Sequence, residues 1–180
     1  LGYLGVHFPS EWGGADADFI SFCIVIEEIC YVSAAIGINV LLHSLMASVP
    51  IYLVGSDEQK QRYFLPAMRG ERIGAAGLTE PNVGSSAGDI ETTAQRVDGG
   101  WKVRGAKMFT SNGPYCDFLT LVVSTDREKR HKGISLFVVD SATPGVVLGP
   151  NIPRMGIAGG EAGGVTLEGT VFPETSLLGE

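Results

Sequence analysis

The chemistry of this chain is concentrated in a few short runs, of which the most informative is Gly77-Leu78-Thr79-Glu80-Pro81-Asn82-Val83-Gly84-Ser85. Pro81 and Gly84 turn the backbone, so N–H groups and two hydroxyls, Thr79 and Ser85, converge where an anionic or ring-shaped ligand could sit; a plain loop would use the same residues. A second run, Arg127, Lys129, Arg130 and Lys132 around His131, is the one basic concentration in the chain. A solvated hairpin tip has this composition, and so does a segment that meets the phosphates of a ligand.

Two further runs have motif-like spacing. Gly84-Ser85-Ser86-Ala87-Gly88 fits G-x-S-x-G, the strand-to-helix turn that raises a nucleophilic serine in hydrolases. Glu80-Pro81-Asn82 stand where the preceding strand belongs, and only His131 follows as a base, so a serine hydrolase at Ser86 is the least supported reading. Gly156-Ile157-Ala158-Gly159-Gly160, with Gly163-Gly164, is spaced like a phosphate loop. Val165-Thr166-Leu167 after it reads as strand, and no Lys stands where a triphosphate loop needs one, which leaves a flexible turn. Cys23, Cys30 and Cys116 form no C-x-x-C pair, and an odd number argues against a disulfide framework and for a reducing compartment. Cys23 and Cys30, seven apart, are expected as buried thiols on one helix face.

The elements that must position these runs fall into two halves. After a loop with Pro9 and Gly13-Gly14, apolar residues recur at helical spacing at Phe19, Phe22, Cys23, Ile26, Ile29 and Cys30, with Asp16 or Asp18 as cap. A second helical run from Ala34 to Val49 is expected to end near Pro50, and a third opens on the capping box Ser56-Asp57-Glu58-Gln59, with Pro66 kinking its last turn. Beyond Gly70 the period changes. Runs rich in β-branched and aromatic residues at 90–97, 101–105, 117–125, 133–140, 145–149 and 164–172 are separated by turns such as Asp98-Gly99-Gly100, which predicts antiparallel strands in a small barrel or sandwich. The expected fold class is α+β, with an α-helical domain over 1–74 and a β domain over 75–180.

Composition narrows the partners. The 180 residues are 44% apolar, enough for a core, while a net charge of -7 leaves no footprint for a nucleic-acid backbone. The 27-residue stretch 29–55 carries no formal charge and could be taken for a membrane span, but it holds Asn39, His43, three serines and Pro50, which favours a buried helix pair. Residues 1–55 hold five acids and no Lys or Arg, so the cationic region of a targeting segment is missing, and a start at Leu1 reads as a piece of something longer.

Several stretches, taken in order, carry a family resemblance: Phe8-Pro9-Ser10-Glu11-Trp12-Gly13-Gly14, Glu27-Glu28, Gly55 with Glu58-Gln59-Lys60, Leu78-Thr79-Glu80-Pro81 with Gly84-Ser85, and Gly105-x-Lys107 with Asn112-Gly113. Over nearly its whole length the sequence resembles the acyl-CoA dehydrogenase family. The resemblance implies an α-helical N-terminal domain, an antiparallel β-barrel middle domain and a C-terminal four-helix bundle absent from this chain, with FAD between barrel and bundle. It also implies α,β-dehydrogenation of an acyl-CoA thioester, with hydride passing to flavin N5 and on to an electron-transfer flavoprotein. The family's catalytic carboxylate would then lie outside this segment, which alone would be inactive.

Carried over by motif, the resemblance assigns flavin contacts to Leu78, Thr79, Gly84 and Ser85, and, in a second segment, to Phe109, Thr110 and Ser111. Ser85 would also face the substrate. As the one basic concentration in the chain, the run 127–132 is expected, beside this motif carry-over, to meet CoA phosphates through Arg127, Lys129 and Arg130. Ser86 stands where the family usually has a supporting Asp, and Ala76 replaces a larger residue beside the flavin. The resemblance further implies a homodimer or homotetramer in the bacterial cytoplasm or the mitochondrial matrix. An acyl-CoA oxidase, a flavin monooxygenase and a non-catalytic subunit are the alternatives on the same fold.

Overall fold

A computed structural model describes residues 2–179 of the chain. Residues 2–18 form two 3-10 turns, Tyr3–Gly5 and Ser10–Trp12, folded so tightly that a Cβ on Gly14 would lie 1.9 Å from the carbonyl oxygen of Phe8. Of the two candidate caps, Asp18 begins helix α1 (Phe19–Val32), accepting the Ser21 N–H at 2.7 Å. Asp16 instead takes the Ser10 N–H at 2.9 Å. Phe22 is the one fully buried residue of α1, against His7. Cys23 is exposed and Cys30 half-buried, which corrects the expectation of two buried thiols. The seven-residue spacing does place them on one side, but α1 is apolar nearly all round, and periodicity cannot say which side meets protein.

Helix α2 (Ala34–Val54) does not stop near Pro50. A π-helical turn at His43–Ser48 widens the helix just before the proline, and the Ser48 hydroxyl donates to the His43 carbonyl at 2.7 Å. Where the i→i−4 ladder is already interrupted, the missing N–H and the ring of Pro50 do little further harm, so the helix continues. α2 is long and apolar enough to cross a bilayer, yet several of its polar groups bond to other parts of the protein. Ser44 donates to the Leu4 carbonyl at 2.9 Å, and the Ala47 carbonyl accepts from Thr120 at 2.8 Å.

Helix α3, over 57–68, starts on the expected capping box: Gln59 N–H to Ser56 Oγ at 3.2 Å, and Ser56 N–H to Gln59 Oε1 at 2.8 Å. A second π-helical turn, Lys60–Phe64, precedes Pro66, so this helix also runs past its proline, to Met68.

The remainder is a mixed sheet of eight strands: β1 (Gly74–Gly77), β2 (Thr93–Val97), β3 (Gly100–Ser111), β4 (Phe118–Ser124), β5 (Ile134–Asp140), β6 (Val146–Asn151), β7 (Ala162–Phe172) and β8 (Leu177–Leu178). The pairing path β6-β7-β3-β2-β4-β5-β8 has two free ends among the described residues, and β1 joins it through β4. Where the sequence predicts an antiparallel barrel or sandwich, the sheet is open, and it is mixed, since β1 and the single β2 bridge run parallel to β4. A parallel pair needs a long connection, and the segment from 78 to 117, with the β2–β3 hairpin inside it, supplies one. β1, sequence Gly-Ala-Ala-Gly, has none of the residues that mark a strand; it is small because a Cβ on Gly74 would meet the Phe118 ring at 2.5 Å.

Two apolar clusters form the core. One lies within the sheet around Leu119, Leu121, Phe137, Val165 and Phe172. The other joins helices to sheet through Phe8, Ile51, Phe64, Met68, Phe118 and Val138. At their margin Asp140 accepts from both Arg62 and Arg72, tying α3 and the β1 approach to the end of β5.

Candidate functional site

The site is built where β1 ends and β3 is broken by a bulge. Lys107 pairs with Val165 of β7 and Thr110 with Gly163, so β3 has one residue more than its partner between these points. The extra residue lifts Met108 and Phe109 out of the ladder. The Met108 N–H turns to the Thr79 carbonyl at 2.8 Å. Phe109 adopts φ 54° and is 52% exposed, a conformation that costs a bulky L-residue about 1–2 kcal/mol and recurs at ligand sites.

Behind this junction Lys107 and Glu80 form a buried ion pair at 2.7 Å, with side chains 0% and 1% exposed. Lys107 also donates to the Leu78 carbonyl at 3.3 Å. Glu80 accepts the N–H groups of Glu91 at 2.6 Å and Thr92 at 3.0 Å. Burial pushes the Glu80 carboxyl up, but the bonds from Lys107, Thr92 and Glu91 outweigh it and hold the group below the usual carboxylate range. Burial draws the Lys107 ammonium down, with Glu80 opposing. The pair fixes the turn 78–80 against β3, and a two-residue reversal at Pro81-Asn82 is closed by the Glu80–Val83 bridge.

The result is a cleft of about 130 Å³ lined by Ala76, Leu78 and Thr79 on one side, Met108, Phe109 and Ser111 on the other, with Leu42 and Met46 of α2 beside them. Its walls are apolar and carry two hydroxyls. Of the seven residues proposed for a cofactor, four line this cleft: Leu78, Thr79, Phe109 and Ser111. Thr110 points to the other face of β3, where its hydroxyl is buried without a hydrogen-bond partner. Gly84 and Ser85 lie outside the cleft on an exposed turn, and a Cβ on Gly84 would meet nothing within 4 Å.

The basic run forms the 3-10 segment Arg127–Gly133 and packs on the short turn Ala87–Asp89 that follows Gly84 and Ser85. Arg130 pairs with Asp89 at 2.8 Å, and Lys129 with Asp126 at 2.9 Å. Ser86 donates its hydroxyl to Asp89, and among the described residues no hydrogen bond joins it to His131, so the constellation a serine hydrolase needs is not assembled. The glycine-rich run 156–160 lies in the connection from β6 to β7, and Gly163-Gly164 are already in β7, so no helix follows.

Glu80 and Lys107 belong to the sequence motifs, but motif spacing alone assigned them no role; their shared burial does. Leu42 and Met46 carried no signal at all, since nothing in a helix sequence says which sheet edge it will cover.

Residues 1–71 match the family model described as acyl-CoA dehydrogenase, N-terminal domain, and residues 75–170 the one described as acyl-CoA dehydrogenase, middle domain. An acyl-CoA dehydrogenase of Bacillus subtilis is 36% identical over 180 residues, covering 99% of this chain and 47% of its own length. The CarC subunit of the caffeyl-CoA reductase-Etf complex of Acetobacterium woodii is 34% identical, with 100% and 48% covered. The butyryl-CoA dehydrogenase structure from Megasphaera elsdenii superposes with a TM-score of 0.95 at 30% identity, covering 99% of this chain and 48% of that one. The chain thus spans about half the length of the relatives it matches.

Proposed function

Since the chain belongs to the acyl-CoA dehydrogenase family, we propose that it is the helical and middle-domain part of an FAD-dependent enzyme that oxidises the α,β-bond of an acyl-CoA thioester. The observation that carries this reading is the cleft between the 78–80 turn and the bulge of β3. A slot with apolar walls and two hydroxyls suits a flat heteroaromatic ring with one polar edge. Leu78 and Thr79 would hold that ring along β1, Phe109 would flank it, and Ser111 would offer its hydroxyl. FAD, when bound, supplies the two-electron acceptor for hydride leaving the β-carbon.

This chain's own residues orient and exclude water. Leu42, Met46 and Ala76 keep the slot apolar, and the Lys107–Glu80 pair keeps the 78–80 turn from collapsing into it. Thr110 serves from beneath, packed against the Gly113 turn. Gly84 and Ser85, on the open turn, are assigned to the thioester's approach, with the basic segment as its phosphate end. An electron-transfer flavoprotein is the proposed electron acceptor, and a homodimer or homotetramer the proposed assembly.

The test is an anaerobic visible spectrum of the purified holoenzyme before and after adding a panel of acyl-CoA esters. Flavin absorbance that bleaches with one ester is the expected result. Failure to take up FAD on reconstitution would overturn the reading and leave a non-catalytic subunit.

A further inference from the structure

We propose that Asp89 and Arg130 are positioning residues for the phosphate end of the thioester, clasping the 84–89 turn to the basic segment and leaving Arg127 and Lys132 to meet phosphate. This rests on the acyl-CoA reading above and deepens it.

The clasp has three contacts along two short segments. Asp89 accepts from the Ser86 hydroxyl on its own turn and from Arg130 across the gap at 2.8 Å. The His131 ring lies on Gly88, where a Cβ would come within 2.8 Å of it. Arg130 has φ 50°, so the backbone bends out of its regular course at the residue that reaches Asp89. Asp89 thereby supplies, three residues later, the carboxylate that Ser86 lacks.

Charge then divides the basic run. Arg130 is neutralised by Asp89 and Lys129 by Asp126, while no carboxylate among the described residues pairs with Arg127 or Lys132, both exposed. A phosphate gains most from cations that are not already paired, so these two are the ones suited to it. The Asp89–Arg130 pair is itself solvent-exposed, 51% and 61%, and such pairs add little to stability. Its consequence is placement: it sets where Arg127 and Lys132 stand relative to Ser85.

The experiment uses the holoenzyme and two probes, butyryl-CoA and butyryl-pantetheine, which lacks the nucleotide phosphates. Dissociation constants come from anaerobic flavin absorbance, and amide hydrogen exchange is followed at residues 84–89. Asp89→Asn and Arg130→Gln are each expected to reduce the preference for the CoA ester about two- to fivefold, the scale of one exposed pair. The double variant should be no worse than either single, and Arg130→Lys should retain the preference. Arg127→Gln with Lys132→Gln should lower it about tenfold and flatten its salt dependence. Exchange at 84–89 should accelerate in Arg130→Gln and stay unchanged in the Arg127/Lys132 variant.

Unchanged exchange and preference in Asp89→Asn and Arg130→Gln would overturn the clasp. A loss in Arg130→Gln that far exceeds that in Asp89→Asn would also overturn it, by making Arg130 the phosphate ligand. If the wild-type holoenzyme binds neither thioester, the dehydrogenase reading fails and the positioning role falls with it. Exchange at 84–89 then still reports on the clasp, so the two failures remain distinct.

Discussion

Lys107 Nζ lies 2.7 Å from Glu80 Oε1, and the two side chains are among the least exposed in the molecule. Both are charged side chains set directly behind the cleft, one on the strand that bulges and the other on the turn that faces it. Their partners join three backbone segments, because Lys107 also reaches Leu78 and Glu80 also takes the N–H groups of Glu91 and Thr92.

Lys107→Met should destabilise the protein by about 3–5 kcal/mol, because it leaves a carboxylate buried without its cation. Replacing both residues, Lys107→Met with Glu80→Leu, should recover part of that loss, since no lone charge then remains. Urea unfolding of the two singles and the double measures this. A double variant no more stable than Lys107→Met would show that the pair's role is not electrostatic.

Phe109→Gly should raise stability by about 1 kcal/mol, relieving the left-handed backbone, while weakening FAD retention. Thermal unfolding of the apo form and fluorescence titration with FAD separate the two effects. Lower stability with FAD affinity unchanged would show that Phe109 is held by packing and not for the ring.

Asp140 lies between Arg72 and Arg62, which hold its carboxyl below the usual range although partial burial pushes it up. A carboxylate with a depressed folded pKa contributes stability that is present above its unfolded value of 3.8 and is lost as pH falls through the folded value. Asp140→Asn should cost about 1.5–3 kcal/mol at pH 7, the range for hydrogen bonds to charged groups, and should lessen the loss of stability below pH 4. Urea midpoints at pH 7 and pH 3.5 for both proteins check it.

His43 works in the opposite part of the pH scale. It accepts the Gly74 N–H at Nδ1 and donates from Nε2 to the Ala67 carbonyl, each at 3.0 Å, so it bridges α2, α3 and β1 as the neutral ring. Burial lowers its pKa below 6.5, opposed by the bond from Nε2–H to the Ala67 carbonyl. The unfolded state therefore binds the proton first, and stability should fall as pH drops from 6.5. His7, also lowered by burial, adds a contribution of the same sign. His43→Gln should be less stable at pH 7.5 and lose less stability between pH 7.5 and 5.5 than the wild type. Equal losses in both would assign the effect to His7.

Local chemistry was legible in the sequence wherever neighbours in the chain decide the outcome. The capping box at Ser56 and Gln59, the Asp98-Gly99-Gly100 turn between β2 and β3, and the strands from β2 to β7 all follow from short-range preferences and the two-residue period. The ordered motifs also pointed to the family and to Leu78, Thr79, Phe109 and Ser111, four residues that line one cleft.

What only the tertiary structure decided depends on which distant surfaces meet. Both prolines sit inside helices because π-helical turns precede them, and β1 is a strand because small residues let Phe118 pack over it. Thr110 faces away from the cleft because one extra residue in β3 shifts the alternation between its ends. The basic run reads as one cluster along the chain, yet Asp89, some forty residues earlier, pairs with one of its members and not the next. Burial, register and charge pairing are sums over residues far apart in sequence, so they appear only once the chain has closed on itself.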